Sequence, residues 1–118
     1  MKYLCLVFNE EEKLDAMSKS EWDALVGEHL AYDERLRQSG HFLVGEALQP
    51  VHTAVTVRVR NGKVSTTDGP FAETKEQLGG LILIEARDLN DAIRVASNIP
   101  SARLGSIEVR PIRDLTQE

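Results

Sequence analysis

Two side chains in this sequence have the types and spacing for acid–base chemistry. His29 and Asp33 stand four residues apart in a stretch, Trp22 to Leu36, whose apolar residues recur at helical spacing. On a helix the imidazole and the carboxylate therefore share one face, one turn apart. A histidine titrates near neutrality, and a carboxylate beside it favours its charged form, which is the minimum equipment for moving a proton on a small organic molecule. The competing reading is a core histidine satisfied by a neighbour. A third candidate, Asp68, opens an acid-Gly-Pro turn, where an aspartate can instead bond the nearby backbone N–H groups.

Other reactive residue types offer less. His29, His41 and His52 fall on three different elements and lack metal-ligand spacing, so no metal is expected. The sequence holds no G-x-G-x-x-G, P-loop, H-E-x-x-H or nucleophile-elbow motif, and no cofactor is expected. The single cysteine, Cys5, sits inside an apolar run, reads as a buried inert thiol, and fits a reducing, cytoplasmic compartment. With a net charge of −5 and no Lys/Arg block, a nucleic-acid partner is not expected. The longest apolar runs, residues 3–8 and 81–84, are far short of the roughly 20 residues of a membrane span, so no membrane is expected either.

The elements that must position these residues follow from hydrophobic period and turn chemistry. At 118 residues the chain fits one domain. Residues 2–8 read as a strand apolar on both faces; Asn9 to Lys19 reads as a polar loop; Ser18 or Ser20 caps a helix starting near Glu21. Its stripe is Trp22, Leu25, Val26, His29, Tyr32, Asp33 and Leu36, and Gly40 stops it. A strand over residues 41–49 follows, then a hairpin of residues 53–60 and 63–67 turning at Asn61-Gly62. In the linking stretch Pro70 pushes Gly69 to an extended conformation, Asp68 accepts backbone N–H bonds, Phe71 plugs the core, Thr74 and Gln77 form a capping box for a very short helix, and Gly79-Gly80 ends it. A strand over 81–86, a helix capped by Asp88 with the stripe Leu89, Ala92, Ile93 and Ala96, and a last strand bearing Ile107, Val109 and Ile112 complete the chain.

The order is α+β: a ferredoxin-like βαββαβ plan with an inserted hairpin. Two helices cover one face of such a sheet, whereas the strands at 4–8 and 81–84 are apolar on both. A second copy of the chain is the economical cover, so a homodimer is expected.

The run DGPFAETKEQLGG, residues 68–80, resembles the signature of the DGPF-type branch of the YCII-related proteins, and the likeness extends from Met1 to Pro111. The resemblance implies a dimeric α+β barrel, in which two sheets pack face to face. It also implies that the histidine of Glu28-His29-Leu30-Ala31 works with an aspartate. Where those proteins tend to carry Asp-Pro after the second helix this chain has Ile99-Pro100, so a dyad here uses Asp68, or Asp33 as the alternative partner. The expected site is a cleft between the first helix and the sheet near the DGPF turn, with Trp22, Tyr32, Pro70 and Phe71 binding a small organic molecule and His29 and Asp68 catalysing. The alternative that the resemblance allows is a noncatalytic accessory module associated with an extracytoplasmic-function sigma factor, the turn being its interaction surface.

Overall fold

The computed structural model describes residues 1–116. Four strands, β1 (Lys2–Asn9), β2 (Phe42–Ala47), β5 (Gln77–Glu85) and β6 (Ser106–Pro111), form one antiparallel sheet in the order β2-β5-β1-β6. This is the ferredoxin-like strand order, and the chain is α+β. The intervening β3 (Val55–Arg60) and β4 (Lys63–Asp68) pair only with each other, as the inserted hairpin. Its two-residue turn takes the left-handed backbone that Asn-Gly tolerates, with φ of 52° at Asn61 and 75° at Gly62.

Three helices accompany the sheet: α1 (Glu11–Asp15), α2 (Lys19–Gln38) and α3 (Leu89–Ser97). The first corrects the expected loop, since residues 11–15 are a short helix with Glu11 and Glu12 in its first turn, where acids meet unpaired N–H groups favourably. Ser18 accepts from the Glu21 N–H while Glu21 reaches back to the Ser18 N–H, a capping box that fixes where α2 starts. Asp88 caps α3 by accepting from the Asp91 N–H at 2.8 Å.

The core lies between the sheet and α2 and α3. Tyr3, Cys5 and Val7 of β1 and Ile82 and Ile84 of β5 meet Tyr32, Leu36, Ala92, Val95 and Ile99 there. The packing face of α3 differs from the expected stripe: Leu89 and Ile93 are exposed, and Asp91, Ala92, Val95 and Ala96 are buried. Asp91 enters the interior with its charge met by the Arg87 N–H (3.1 Å), Arg94 (2.6 Å) and His41 (3.0 Å), so a polar position becomes part of the buried face. These donors hold its carboxyl far below the usual carboxylate range, the Arg87 N–H foremost. Burial raises the Cys5 thiol to about 11 and suits it to an inert role.

The opposite sheet face carries Leu4, Leu6, Phe8, Leu81 and Leu83, all half-buried, with no helix among the described residues packed on it. The hairpin is likewise bare on its apolar side. Val55, Val57, Val59 and Val64 are more than half exposed, while Thr56 and Arg58 on the other face are partly covered. The molecule measures 49 × 47 × 19 Å with a radius of gyration of 16.3 Å, against about 13.5 Å for a compact chain of this length. The excess reflects a flat body with a projecting arm.

The approach of β6 to β1 rests on a missing side chain. A Cβ at Gly105 would lie 2.0 Å from the Phe8 carbonyl oxygen, so β6 can approach β1 only with glycine there. The linking stretch departs most from expectation. No helix occupies residues 71–76, because the Thr74 hydroxyl donates to the Glu76 carbonyl (2.5 Å) and the Gln77 amide to the Thr74 carbonyl (2.8 Å), closing a turn, after which β5 begins at Gln77. Gly69 has a φ of 105° rather than an extended one, and its N–H donates to the Ala54 carbonyl at 2.7 Å.

Candidate functional site

A cavity of about 740 Å³ opens between α2, α1 and the helix-side face of the sheet, within the usual size range of small-molecule sites. Its floor is Val7 and Asn9 of β1, Gly80 and Ile82 of β5, and Gly45 and Ala47 of β2. These lie on one face because the ladders pair Val7 with Gly80, Cys5 with Ile82, and Ala47 with Gly80. A Cβ on Gly80 would come within 3.0 Å of the Glu46 carbonyl oxygen, so the same glycine that leaves the floor low also lets β2 close on β5. The roof is the α2 stripe of Trp22, Leu25, Val26, His29 and Asp33, and α1 closes one end with Leu14 and Met17 beside it. That end is tied down by the Glu11 N–H donating to Gln77 Oε1 (2.9 Å) and the Val51 N–H donating to Glu11 Oε2 (3.0 Å).

His29 and Asp33 both reach the cavity wall half-buried. His29 Nε2 lies 2.8 Å from the Ser101 hydroxyl, which is buried in the 3-10 turn Pro100–Arg103. Burial pushes the imidazole below its ordinary value of 6.5, a fall that the charges of Asp33 and Glu28 oppose and that of Arg103 assists. Asp33 moves the other way: burial raises its carboxyl, against the pull of His29 and then Arg37. Its Oδ2 lies over Gly45, 3.7 Å from where a Cβ would stand. Among the described residues the Asp33 carboxylate makes no hydrogen bond or ion pair. The pair thus presents a neutral imidazole and an unengaged carboxylate to one space, a state suited to accepting and then stabilising a proton.

The structure brings Trp22, His29 and Asp33 together and separates the rest. Tyr32 faces the core, its hydroxyl donating to the Val95 carbonyl at 2.7 Å and so joining α2 to α3. Asp68 ends the hairpin, exposed, opposite Val55, and its side chain accepts no backbone N–H among the described residues. Phe71 is 80% exposed rather than a plug, with the Arg58 guanidinium 5.6 Å from its ring centre. Neither Asp68, Pro70 nor Phe71 lines the cavity, whose nearest approach to that turn along the chain is Gln77. Ser101 and Asn9 line it without having been singled out by the sequence. Nothing local marks Ser101, which meets His29 only because the turn after α3 folds onto α2. Among the described residues no three His, Cys, Asp or Glu side chains cluster in a way that could hold a metal ion, and no helix is long and apolar enough to cross a membrane.

The family model of the YCII-related domain matches residues 1–116. An uncharacterized protein of Rhizobium meliloti (strain 1021) is 36% identical over 114 residues, covering 95% of this chain and 92% of that protein. On the strength of these matches the chain belongs to the YCII-related domain family.

Proposed function

We propose that this chain, a DGPF-type member of its family by virtue of Asp68-Gly69-Pro70-Phe71, is a homodimer that binds a small, largely apolar organic molecule in the cavity and acts on it by acid–base chemistry. His29 serves as the general base and Asp33 as the carboxylate that stabilises the imidazolium once formed. The observation that carries this reading is the unengaged, half-buried Asp33 one turn from a half-buried His29 on a cavity wall. Burial of two titratable groups costs stability, and a site that uses them is the common reason to retain it. With Ser101 holding Nε2, the other ring nitrogen is the one available to a ligand. The sigma-factor accessory reading lacks a comparable observation, because the exposed Phe71 coexists with a cavity of about 740 Å³ that such a role would not need.

The homodimer is supported by the two uncovered apolar surfaces, the leucine face of the sheet and the valine face of the hairpin. Face-to-face packing of two such sheets would bury the first, and the bare valine face of the hairpin offers further apolar surface to a partner.

The test is a thermal-shift screen of the parent and His29→Gln against a library of small metabolites. A ligand at 100 times its Kd stabilises the fold by about 2.7 kcal/mol. We expect hits whose shift is lost in His29→Gln, although that variant remains folded. A hit that binds and reacts equally well with both proteins would remove His29 from the mechanism.

A further inference from the structure

Asn9 ends β1 on the cavity floor, opposite Gln77 across the ladder. The residue is 7% exposed, and its Oδ1 is fully buried without a hydrogen-bond partner, alone among the buried side-chain atoms of the described residues. Its Nδ2 likewise has no partner among them. A carboxamide offers two donors and an acceptor, and leaving such a group buried and unmet is unfavourable when an apolar residue of similar size would fill the space. Gly79 stands beside it on the same wall: a Cβ there would lie 3.5 Å from Nδ2, so the strand is bare where it adjoins the amide.

From this we infer that Asn9 is the polar anchor of the cavity, and that the ligand carries a neutral edge with an N–H donor next to a carbonyl acceptor, as in an amide or a lactam, on an otherwise apolar body. The inference rests on the cavity being a ligand site, as proposed above. Such an edge pairs with a carboxamide in both directions at once, its N–H donating to Oδ1 and its carbonyl accepting from Nδ2. Nδ2 already borders the space that Gly79 leaves, and a partial turn about the terminal torsion, which is broad for asparagine, brings the edge shared by Oδ1 and Nδ2 to face it. Two features of the wall narrow the class further. Glu11, Asp15, Asp33 and Glu46 face only Lys19 among fixed charges on it, which disfavours a carboxylate or phosphate ligand. Trp22, Leu25 and Ile82 supply apolar contact for the body of the molecule.

Oxindole, N-methyloxindole and indane probe the three elements of the claim, since the second lacks the donor and the third lacks both polar groups. Binding is read from the nitrogen-15 correlation signals of the Asn9 side-chain amide and of the indole of Trp22, the chain's single tryptophan. We expect oxindole to bind the parent about tenfold or more tighter than N-methyloxindole. In Asn9→Leu that preference should disappear, with indane binding as well as before or better. Should Asn9→Leu fail to fold, Gly79→Ala places its methyl at ordinary contact distance from Nδ2, keeps the fold, and should abolish the preference by screening the amide. Equal binding of the two oxindoles to the parent, or a preference that survives in either variant, overturns the role of Asn9 while leaving the cavity reading in place. If none of the three probes, indane included, moves the Trp22 signal, the cavity reading itself fails and the inference falls with it.

Discussion

Replacing Asp33 by asparagine should move the titration of His29 to lower pH. Burial already depresses the imidazole below 6.5, and the charge of Asp33 is the largest influence holding it up. Residues four apart on a helix have Cβ atoms about 5–6 Å apart. Unit charges about 6 Å apart interact by roughly 0.7 kcal/mol at the dielectric of water and roughly 3 kcal/mol at an effective value near 20. Both groups are half-buried, and the unengaged carboxylate stays partly solvated, so the lower part of that range applies and the coupling is about 1 kcal/mol. Proton–carbon correlation spectra of the imidazole rings, assigned by the loss of each signal in His29→Gln, His41→Gln and His52→Gln, follow the midpoint directly. An unchanged or raised midpoint in Asp33→Asn would refute the pairing and the acid–base reading built on it. The sign carries over to stability. A histidine whose folded value is depressed leaves the fold intact above 6.5 and weakens it as pH falls from there through the folded value, because the unfolded chain takes up the proton first. Asp33, raised from 3.8, acts oppositely: its contribution is fully present below 3.8 and is lost as pH rises through the folded value. Asp33→Asn should therefore steepen the loss of stability below 6.5, and His29→Gln should flatten it.

Sedimentation at micromolar concentration should give a mass near twice 13.1 kDa, and Leu83→Asp, on the uncovered sheet face, should reduce it to that of one chain or prevent folding; a parent that sediments as a clean monomer would sink the barrel. Gly105→Ala forces a methyl against the Phe8 carbonyl oxygen, 2.0 Å away, and should fail to give cooperative unfolding in a thermal melt. Asp68→Ala should melt within about 0.5 kcal/mol of the parent, since the carboxylate is exposed and holds no backbone donor among the described residues. A larger loss in urea titration would restore a structural role for that carboxylate.

The readability of this chain follows the range over which its signals act. The Ser18-to-Glu21 capping box, Asp88 and Asn61-Gly62 work within a few residues, so they can be read directly and set α2, α3 and the hairpin turn. His29 and Asp33 were legible as a pair because helical spacing alone brings them to one face. The same local grammar misleads at Thr74 and Gln77: a threonine followed three residues later by glutamine also closes a turn, and the pull of β5 into the sheet decides between the two. The α3 stripe was misjudged at Asp91 for another reason. Its buried carboxylate is met by the nearby Arg87 N–H and Arg94 and also by His41, fifty residues away in the chain, and periodicity reads none of these partners. The distance of Asp68, Pro70 and Phe71 from the cavity was hidden likewise, since local turn chemistry does not say where a hairpin arm points.

The position of β1 has a consequence for how the molecule is made. Leu6 pairs with Leu81 on one side and with Glu108 on the other, so the central strand of the sheet finds both neighbours only among residues synthesised long after it. At roughly 5–20 residues per second a ribosome leaves that strand waiting for several seconds. During that time Tyr3 to Phe8, apolar on both sides, has no native partner and is a target for chaperones or for the same strand of another nascent chain. Closure then joins distant parts of the chain, which places this protein among the slower folders of its size. A delay in translation just before β5 would lengthen the exposure of β1, and yield in the cell would fall without any change in the finished fold.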